Sequence, residues 1–319
     1  MHAGQPIHPG AARRARTRRH REVTHTARAG RRGPRPTSGP VGSPPVWDYL
    51  QGVVLGIIQG LTEFLPISSS AHLRIFPELL GWEDPGAAFT AVCQIGTELA
   101  VLLYFRKDIW RIASSWLRSF VRPELRGHLD TRMGWFIIVG SLPIVLLGLL
   151  FEDAIDSALR SLWIVATMLV VLGIVLGVAD RYGSTERTLK DLTAGHAVLM
   201  GLAQAAALVP GVSRSGATIS MGRALGYERE VTARYAFLLA IPAVLGAGVY
   251  KLKDVPGSDN PYGWGPTITA TVVSFFVGYA VIAWLLRYVS TRSFLPFVTY
   301  RVVLGFGVMG LLAAGVLSA

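Results

Sequence analysis

Charge is scarce in this chain: 16% of its 319 residues are charged, against 51% hydrophobic. So little charge cannot cover a water-soluble surface, which excludes an ordinary soluble domain in favour of the membrane class. Cysteine is nearly missing as well. Cys93 stands alone in an apolar run, so no intrachain disulfide can form and the redox compartment cannot be read. The opening residues lack the apolar stretch of a secretory signal peptide. They also lack acid: residues 1–46 carry ten arginines and one glutamate, which accounts for +9 of the net charge of +11. This leaves a net charge of only +2 for everything else, and no nucleic-acid partner is expected. The tail is rich in Pro, Gly, Arg and Thr and cannot bury a core. Disorder is expected over 1–46, either as a basic arm for anionic membrane lipids or as a plain unstructured extension.

What the chain has in quantity is uncharged length. Runs 133–151, 161–179 and 262–286 contain no charged residue, and 86–105, 235–250 and 297–318 are shorter or slightly interrupted. They predict six spans in a single integral membrane domain over 47–319. The loops orient it: 106–132 carries seven Lys/Arg, whereas 152–160 carries Glu152, Asp153, Asp156 and one arginine. The first is expected inside and the second outside.

Two segments interrupt this pattern in the same way: "LGIIQGLTEFLPISSSAH" at 55–72 and "MGLAQAAALVPGVSRSGAT" at 200–218. Gly56, Gln59, Ser68 and Ser70 pair with Gly201, Gln204, Ser213 and Ser215 at a constant offset of 145 residues, and each segment has a proline shortly before its serines. The chain therefore reads as two repeats, about 47–180 and 190–319. Three spans per repeat, an odd number, turn the second upside down. The expected fold is an all-α polytopic membrane protein of two inverted-topology repeats, each with a re-entrant helical hairpin plus three transmembrane helices. Pro66 and Pro210 should each end a helix ahead of the serine-rich turn, because proline removes a donor and clashes with the preceding turn. Non-helical backbone at that depth has to line a polar, protein-walled pocket.

Gln59 and Glu63 lie four apart and share a helix face. A buried carboxylate beside an amide carbonyl is a hard oxygen site suited to a divalent metal, Mg2+ or Ca2+. Gln94 and Glu98 have the same spacing without serine or proline nearby, and read as hydrogen-bonding glue between helices, with Glu98 at the border of the site as the alternative. Arg214, between Ser213 and Ser215, offers a planar fork for phosphate, with hydroxyls and helix-start N–H groups around it. His72 is suited to proton transfer near neutral pH, or else to capping a helix. Ser68 and Ser69 fit either a nucleophile or a phosphate ligand. A metal, an arginine, hydroxyls and a histidine inside a hydrocarbon slab suit a diphosphate carried on a long apolar chain.

The segments "QGLTEFLPISSSAH" and "PGVSRSGATIS" resemble the two signature segments of the undecaprenyl-diphosphatase family, bacterial membrane phosphatases of the bacitracin-resistance type, over about residues 48–319. The resemblance implies hydrolysis of undecaprenyl (polyprenyl) diphosphate to the monophosphate. That reaction recycles the lipid carrier of cell-wall synthesis and confers bacitracin resistance. The resemblance also implies dependence on a divalent metal, a homodimer, and a multi-pass protein of the bacterial cell membrane with its site open to the outer face. By position, the family's (E/Q)-x-x-x-E motif falls on Gln59 and Glu63. Its serines and histidine fall on Ser68, Ser69 and His72, and its second motif on Ser213, Arg214, Ser215 and Thr218. Glutamine at 59, where many members carry glutamate, leaves one negative charge fewer at the metal.

The expectation is a phosphatase with metal on Glu63 and Gln59, and with His72, Ser69 and Arg214 catalytic. Ser68, Ser70, Ser213, Arg214, Ser215 and Thr218 are expected to bind the polyprenyl diphosphate, and either Ser69 or water attacks phosphorus. The alternative is a transporter, or flippase, of polyprenyl phosphate, since broken helices in inverted repeats also build transporters.

Overall fold

A chain this apolar must satisfy its backbone within each segment, and it does so by helix formation. The computed structural model describes residues 45–151, 161–251, 260 and 262–318, and these form eleven α-helices with three short 3-10 turns between them. In chain order the helices are α1 (Pro45–Phe64), α2 (Ser69–Leu80), α3 (Gly86–Tyr104), α4 (Arg106–Arg118), α5 (Leu129–Leu150), α6 (Leu162–Tyr182), α7 (Ala194–Ala205), α8 (Arg214–Ala224), α9 (Arg229–Lys251), α10 (Trp264–Val289) and α11 (Leu295–Ala313). The basic tail expected to be disordered lies outside the described residues, apart from its last two, which open α1. Loop 152–160 and most of loop 251–264 also lie outside them.

Four helices, α5, α6, α10 and α11, are long and apolar enough to cross a bilayer, and α3 with α4 makes a fifth if the bend of 73° between them is counted as one broken span. The protein is therefore a polytopic, all-helical membrane protein. The sixth expected span, 235–250, falls within α9, which also takes in the charged residues Arg229, Glu230 and Arg234. The stretch 106–132, expected as a loop, is instead α4, a 3-10 turn at Pro123–Gly127 and the start of α5. Its helix is amphipathic: Ile112 is buried while Trp110 and Leu117 stand exposed beside Arg111 and Arg118, a pattern suited to a membrane–water interface.

Small residues set the closest approaches. A Cβ at Gly52 would lie 2.6 Å from Pro266 O, and one at Gly60 would lie 2.7 Å from Val277 Cβ, so α1 and α10 touch through their backbones. Gly201 of α7 meets the Gly140 carbonyl of α5 in the same manner. α6 and α11 pack through Gly173 and Gly305. Outward faces keep large apolar side chains exposed, among them Leu146, Ile174, Val272 and Phe276, as a lipid-facing surface requires. At the far end of α6, Asp180 accepts hydrogen bonds from Arg223 Nε (3.1 Å), Arg229 Nε (2.7 Å) and Phe294 N (3.0 Å), which ties together α6, α8, α9 and the entry to α11.

As the prolines predict, α1 stops at Phe64 ahead of Pro66, and α7 gives way to a 3-10 turn ahead of Pro210. After each break comes a serine in the left-handed region. Ser68 (φ 76°) and Ser213 (φ 73°) are the only non-glycine residues with positive φ among the described residues. Such a backbone costs roughly 1–3 kcal/mol and persists only where its surroundings hold it.

Candidate active site

What holds those turns is one side chain. Arg301, on α11, is fully buried and has no acidic partner among the described residues. Its guanidinium donates to five backbone carbonyls: Pro66 (3.1 Å) in the first turn, Gly211 (2.9 Å) and Val212 (3.0 Å) in the second, and Met168 and Leu169 (3.1 Å each) on α6. The turns also clasp each other directly. Gly211 N donates to Ser70 Oγ (3.4 Å), and Ser215 Oγ donates to the Leu65 carbonyl (3.2 Å). The N-terminal ends of α2 and α8 are thereby linked, and with them two positive dipole ends.

Glu63 is the centre of this arrangement. Its Oε2 accepts from Ser69 Oγ (2.6 Å) and Gln59 Nε2 (3.0 Å), and its Oε1 accepts from Arg214 Nη2 (2.6 Å) and Gln94 Nε2 (3.5 Å). Arg214 Nη2 reaches a second carboxylate as well, Glu98 Oε1, at 3.2 Å. Four elements thus converge: α1 supplies Gln59 and Glu63, α2 supplies Ser69, α3 supplies Gln94 and Glu98, and α8 supplies Arg214. All are buried or nearly so, and several polar atoms have no protein partner: Gln59 Oε1, Glu98 Oε2 and Arg214 Nη1. Orphaned groups of this kind are costly, and clustered in one place they mark where a ligand supplies the missing partners.

The structure brings Gln59, Glu63, Ser69 and Arg214 together. The other candidates take different positions. Ser68 Oγ lies 3.2 Å from Ser70 Oγ, and Ser213 Oγ lies 3.2 Å from Ser215 Oγ. Ser213 also caps α8 by accepting from Gly216 N (3.2 Å), and Thr218 Oγ1 donates back to the Arg214 carbonyl (2.9 Å). These hydroxyls build the turns and the seam between them.

His72 takes its partners elsewhere. Its Nδ1 is 2.7 Å from the Ser68 carbonyl and its Nε2 is 2.7 Å from Tyr300 Oη, with the two rings stacked. A carbonyl can only accept, so Nδ1 carries the proton, and the Nε2 of a neutral ring accepts from the tyrosine hydroxyl.

Four residues here were not among the expected site residues. Glu98, read as glue between helices, shares Arg214 with Glu63, and Gln94 touches Glu63 itself. Arg301 could have been found, since it is the lone charged residue in the apolar helix Leu295–Ala313, and a charge at that depth needs a reason. Tyr300 gave no signal.

For a metal, the donor set is hard oxygen: two carboxylates and the two amide carbonyls of Gln59 and Gln94. No group of three or more His, Cys, Asp or Glu that could hold an ion occurs among the described residues. The unpartnered Gln59 Oε1 and Glu98 Oε2 nevertheless fit a divalent cation that takes its remaining ligands from water and phosphate.

Residues 52–307 match the family model described as bacitracin resistance protein BacA. The chain belongs to the BacA family. Curated BacA-type relatives run nearly its full membrane length. An undecaprenyl-diphosphatase of Nocardioides sp. is 70% identical over 272 residues, 85% of this chain and 99% of that protein. One from Agrobacterium fabrum is 58% identical over 272 residues, with 85% and 98% covered, and one from Thermobifida fusca is 56% identical over 269 residues, with 84% and 92% covered. All three matches leave out a stretch of this BacA chain about as long as the basic tail.

Proposed function

We propose that this chain is an undecaprenyl-diphosphatase, a membrane hydrolase that converts undecaprenyl diphosphate to the monophosphate and inorganic phosphate, with the role in bacitracin resistance that its family carries. The observation that carries this reading is Arg214. Its Nη2 is tied to two carboxylates while its Nη1, buried, has no partner at the mouth of two converging helix starts. That free donor and the helix N–H groups suit the oxygens of a diphosphate.

Ser69 donates to Glu63 at 2.6 Å, so Glu63 is placed to take the proton of Ser69, or of a water in its stead, as it attacks the terminal phosphorus. Attack breaks the bond from that phosphorus to the bridging oxygen, the lipid leaves as its monophosphate, and the terminal group ends as inorganic phosphate. If serine attacks, water completes a second displacement. His72 would hold or return a proton, a role supported by the orientation that the Ser68 carbonyl and Tyr300 give its ring. Glu63 and Gln59 would hold Mg2+ or Ca2+, which when bound neutralises oxygen charge on the diphosphate. Ser68, Ser70, Ser213, Ser215 and Thr218 shape the phosphate cradle through the turns they build.

The two-repeat reading rests on paired detail. Ser68 with Ser213, Ser70 with Ser215, and the helix pairs α1/α10 and α7/α5 all recur at one offset, and inversion follows from three spans per repeat. With the basic stretch 106–132 inside, the site opens toward the outer face of the bacterial plasma membrane. The family resemblance supports a homodimer as the working unit.

The test is phosphate release from undecaprenyl diphosphate by purified protein in detergent, with and without chelator. Release should vanish with chelator and in Glu63→Ala and Arg214→Ala. A well-folded wild type that binds polyprenyl phosphate yet releases nothing would overturn this reading and make the protein a transporter of that lipid.

A further inference from the structure

We propose that Glu98 is the second acidic ligand of the divalent-cation site, paired with Glu63 and standing in for the carboxylate that Gln59 does not supply. The proposal deepens the phosphatase reading and rests on it for the identity of the site. The motif on α1 provides one carboxylate and one amide, a thin donor set for a cation that prefers charged oxygen. α3 makes up the difference. Gln94, Thr97 and Glu98 lie on the turn of α3 that faces α1: Gln94 Nε2 reaches Glu63 (3.5 Å), Thr97 Oγ1 accepts from Gln59 Nε2 (3.5 Å), and Glu98 shares Arg214 with Glu63.

Two facts of different kinds point to a cation here. The first is charge: two buried carboxylates face one guanidinium, and the remaining neighbours, Gln59, Gln94, Thr97 and Ser69, are neutral. One negative charge is left over in an apolar slab, where an uncompensated ion is expensive. A divalent cation converts that excess of one negative charge into an excess of one positive charge, the sign a diphosphate needs. The second is the pair of orphaned acceptors. Gln59 is 1% exposed and Glu98 is 3% exposed, yet Gln59 Oε1 and Glu98 Oε2 accept from nothing. Two unpartnered oxygens on residues that flank Glu63 ask for an electrophile between them.

The experiment measures Mn2+ binding by the full chain in detergent without substrate, from the free-ion signal in electron paramagnetic resonance, alongside phosphate release. Glu98→Gln should weaken Mn2+ binding by about tenfold or more. It should also raise the Mn2+ concentration needed for release. Adding Gln59→Glu to Glu98→Gln should restore both, which a merely structural glutamate would not allow. Glu98→Asp, which keeps the charge, covers the case in which the amide variant does not fold, and should bind Mn2+ better than any neutral variant.

Mn2+ binding that is lost in Glu63→Gln but unchanged in Glu98→Gln would overturn the proposal and leave Glu98 as a protonated acid. So would wild type that releases phosphate without binding Mn2+, an outcome that keeps the hydrolase and discards the site. Mn2+ binding that depends on Glu98 in a wild type that releases no phosphate would keep the site and discard the hydrolase.

Discussion

The first and second hairpins share a backbone and divide the chemistry. Both break at a proline, both pass through a serine of positive φ, and both start a helix with a serine pair 3.2 Å apart. At the offset that maps one onto the other, however, Glu63 corresponds to Leu208, Gln94 to Leu239, Glu98 to Ala243 and His72 to Ala217. All of the acid lies on one side. Ser69 corresponds to Arg214, and both donate to Glu63 at 2.6 Å, so equivalent positions deliver the hydroxyl and the cation to the same carboxylate from opposite directions. Of the side chains that bond to Glu63, only Gln59 has an identical counterpart, Gln204, whose side chain is fully buried with neither polar atom paired. A near-symmetric scaffold can thus hold an asymmetric site. The turns must stay alike to pack against each other, whereas the residues aimed into the gap need only complement one another.

The comparison is broken most severely at the residue both hairpins depend on. Arg301→Met should destabilise the protein by more than about 3 kcal/mol, because each stranded carbonyl costs about 1–3 kcal/mol. A large fall in melting temperature in detergent checks it, and an unchanged Tm would mean that the turns hold themselves. Glu63→Gln removes the acid pole but leaves a shape that can still hydrogen-bond. It should lower phosphate release by about 100-fold or more with little change in melting. Tyr300→Phe loosens His72, which has no counterpart on the second hairpin. Release should fall about tenfold, the worth of one buried hydrogen bond, with Arg214-dependent substrate binding intact. The smallest effect sharpens the likeness: Ser68→Gly relieves left-handed strain with no helix cap to lose and should raise the melting temperature slightly. Ser213→Gly relieves the same strain but gives up the bond from Gly216 N, so its gain should be smaller.

Much of this was legible in the sequence because apolar runs and proline breaks act locally. The spans 133–151, 161–179 and 262–286 appear as α5, α6 and α10 to within a few residues, and the helices stop where Pro66 and Pro210 require. Gln59, Glu63, Ser69 and Arg214 could be singled out because their chemistry is odd for a greasy chain. Gln94 and Glu98 do bond between helices as expected, but that Glu98 shares Arg214 with Glu63 depends on how α3 meets α1, a tertiary fact with no local mark. Ser68, Ser70, Ser213, Ser215 and Thr218 bond to backbone and to one another, a detail of the turns that spacing alone does not predict. The stretch 106–132 was taken for a loop because its charges hid the period of α4.

Arg301 sits on the last helix of the chain, and its five carbonyl partners come from segments made much earlier. Until α11 has entered the membrane, the two turns lack the bonds that Arg301 supplies and have only those they make to each other. The catalytic centre is therefore timed as well as placed. A chain cut short before Arg301 would carry the carboxylates, the serines and Arg214 in its sequence and still lack the side chain that bonds both turns.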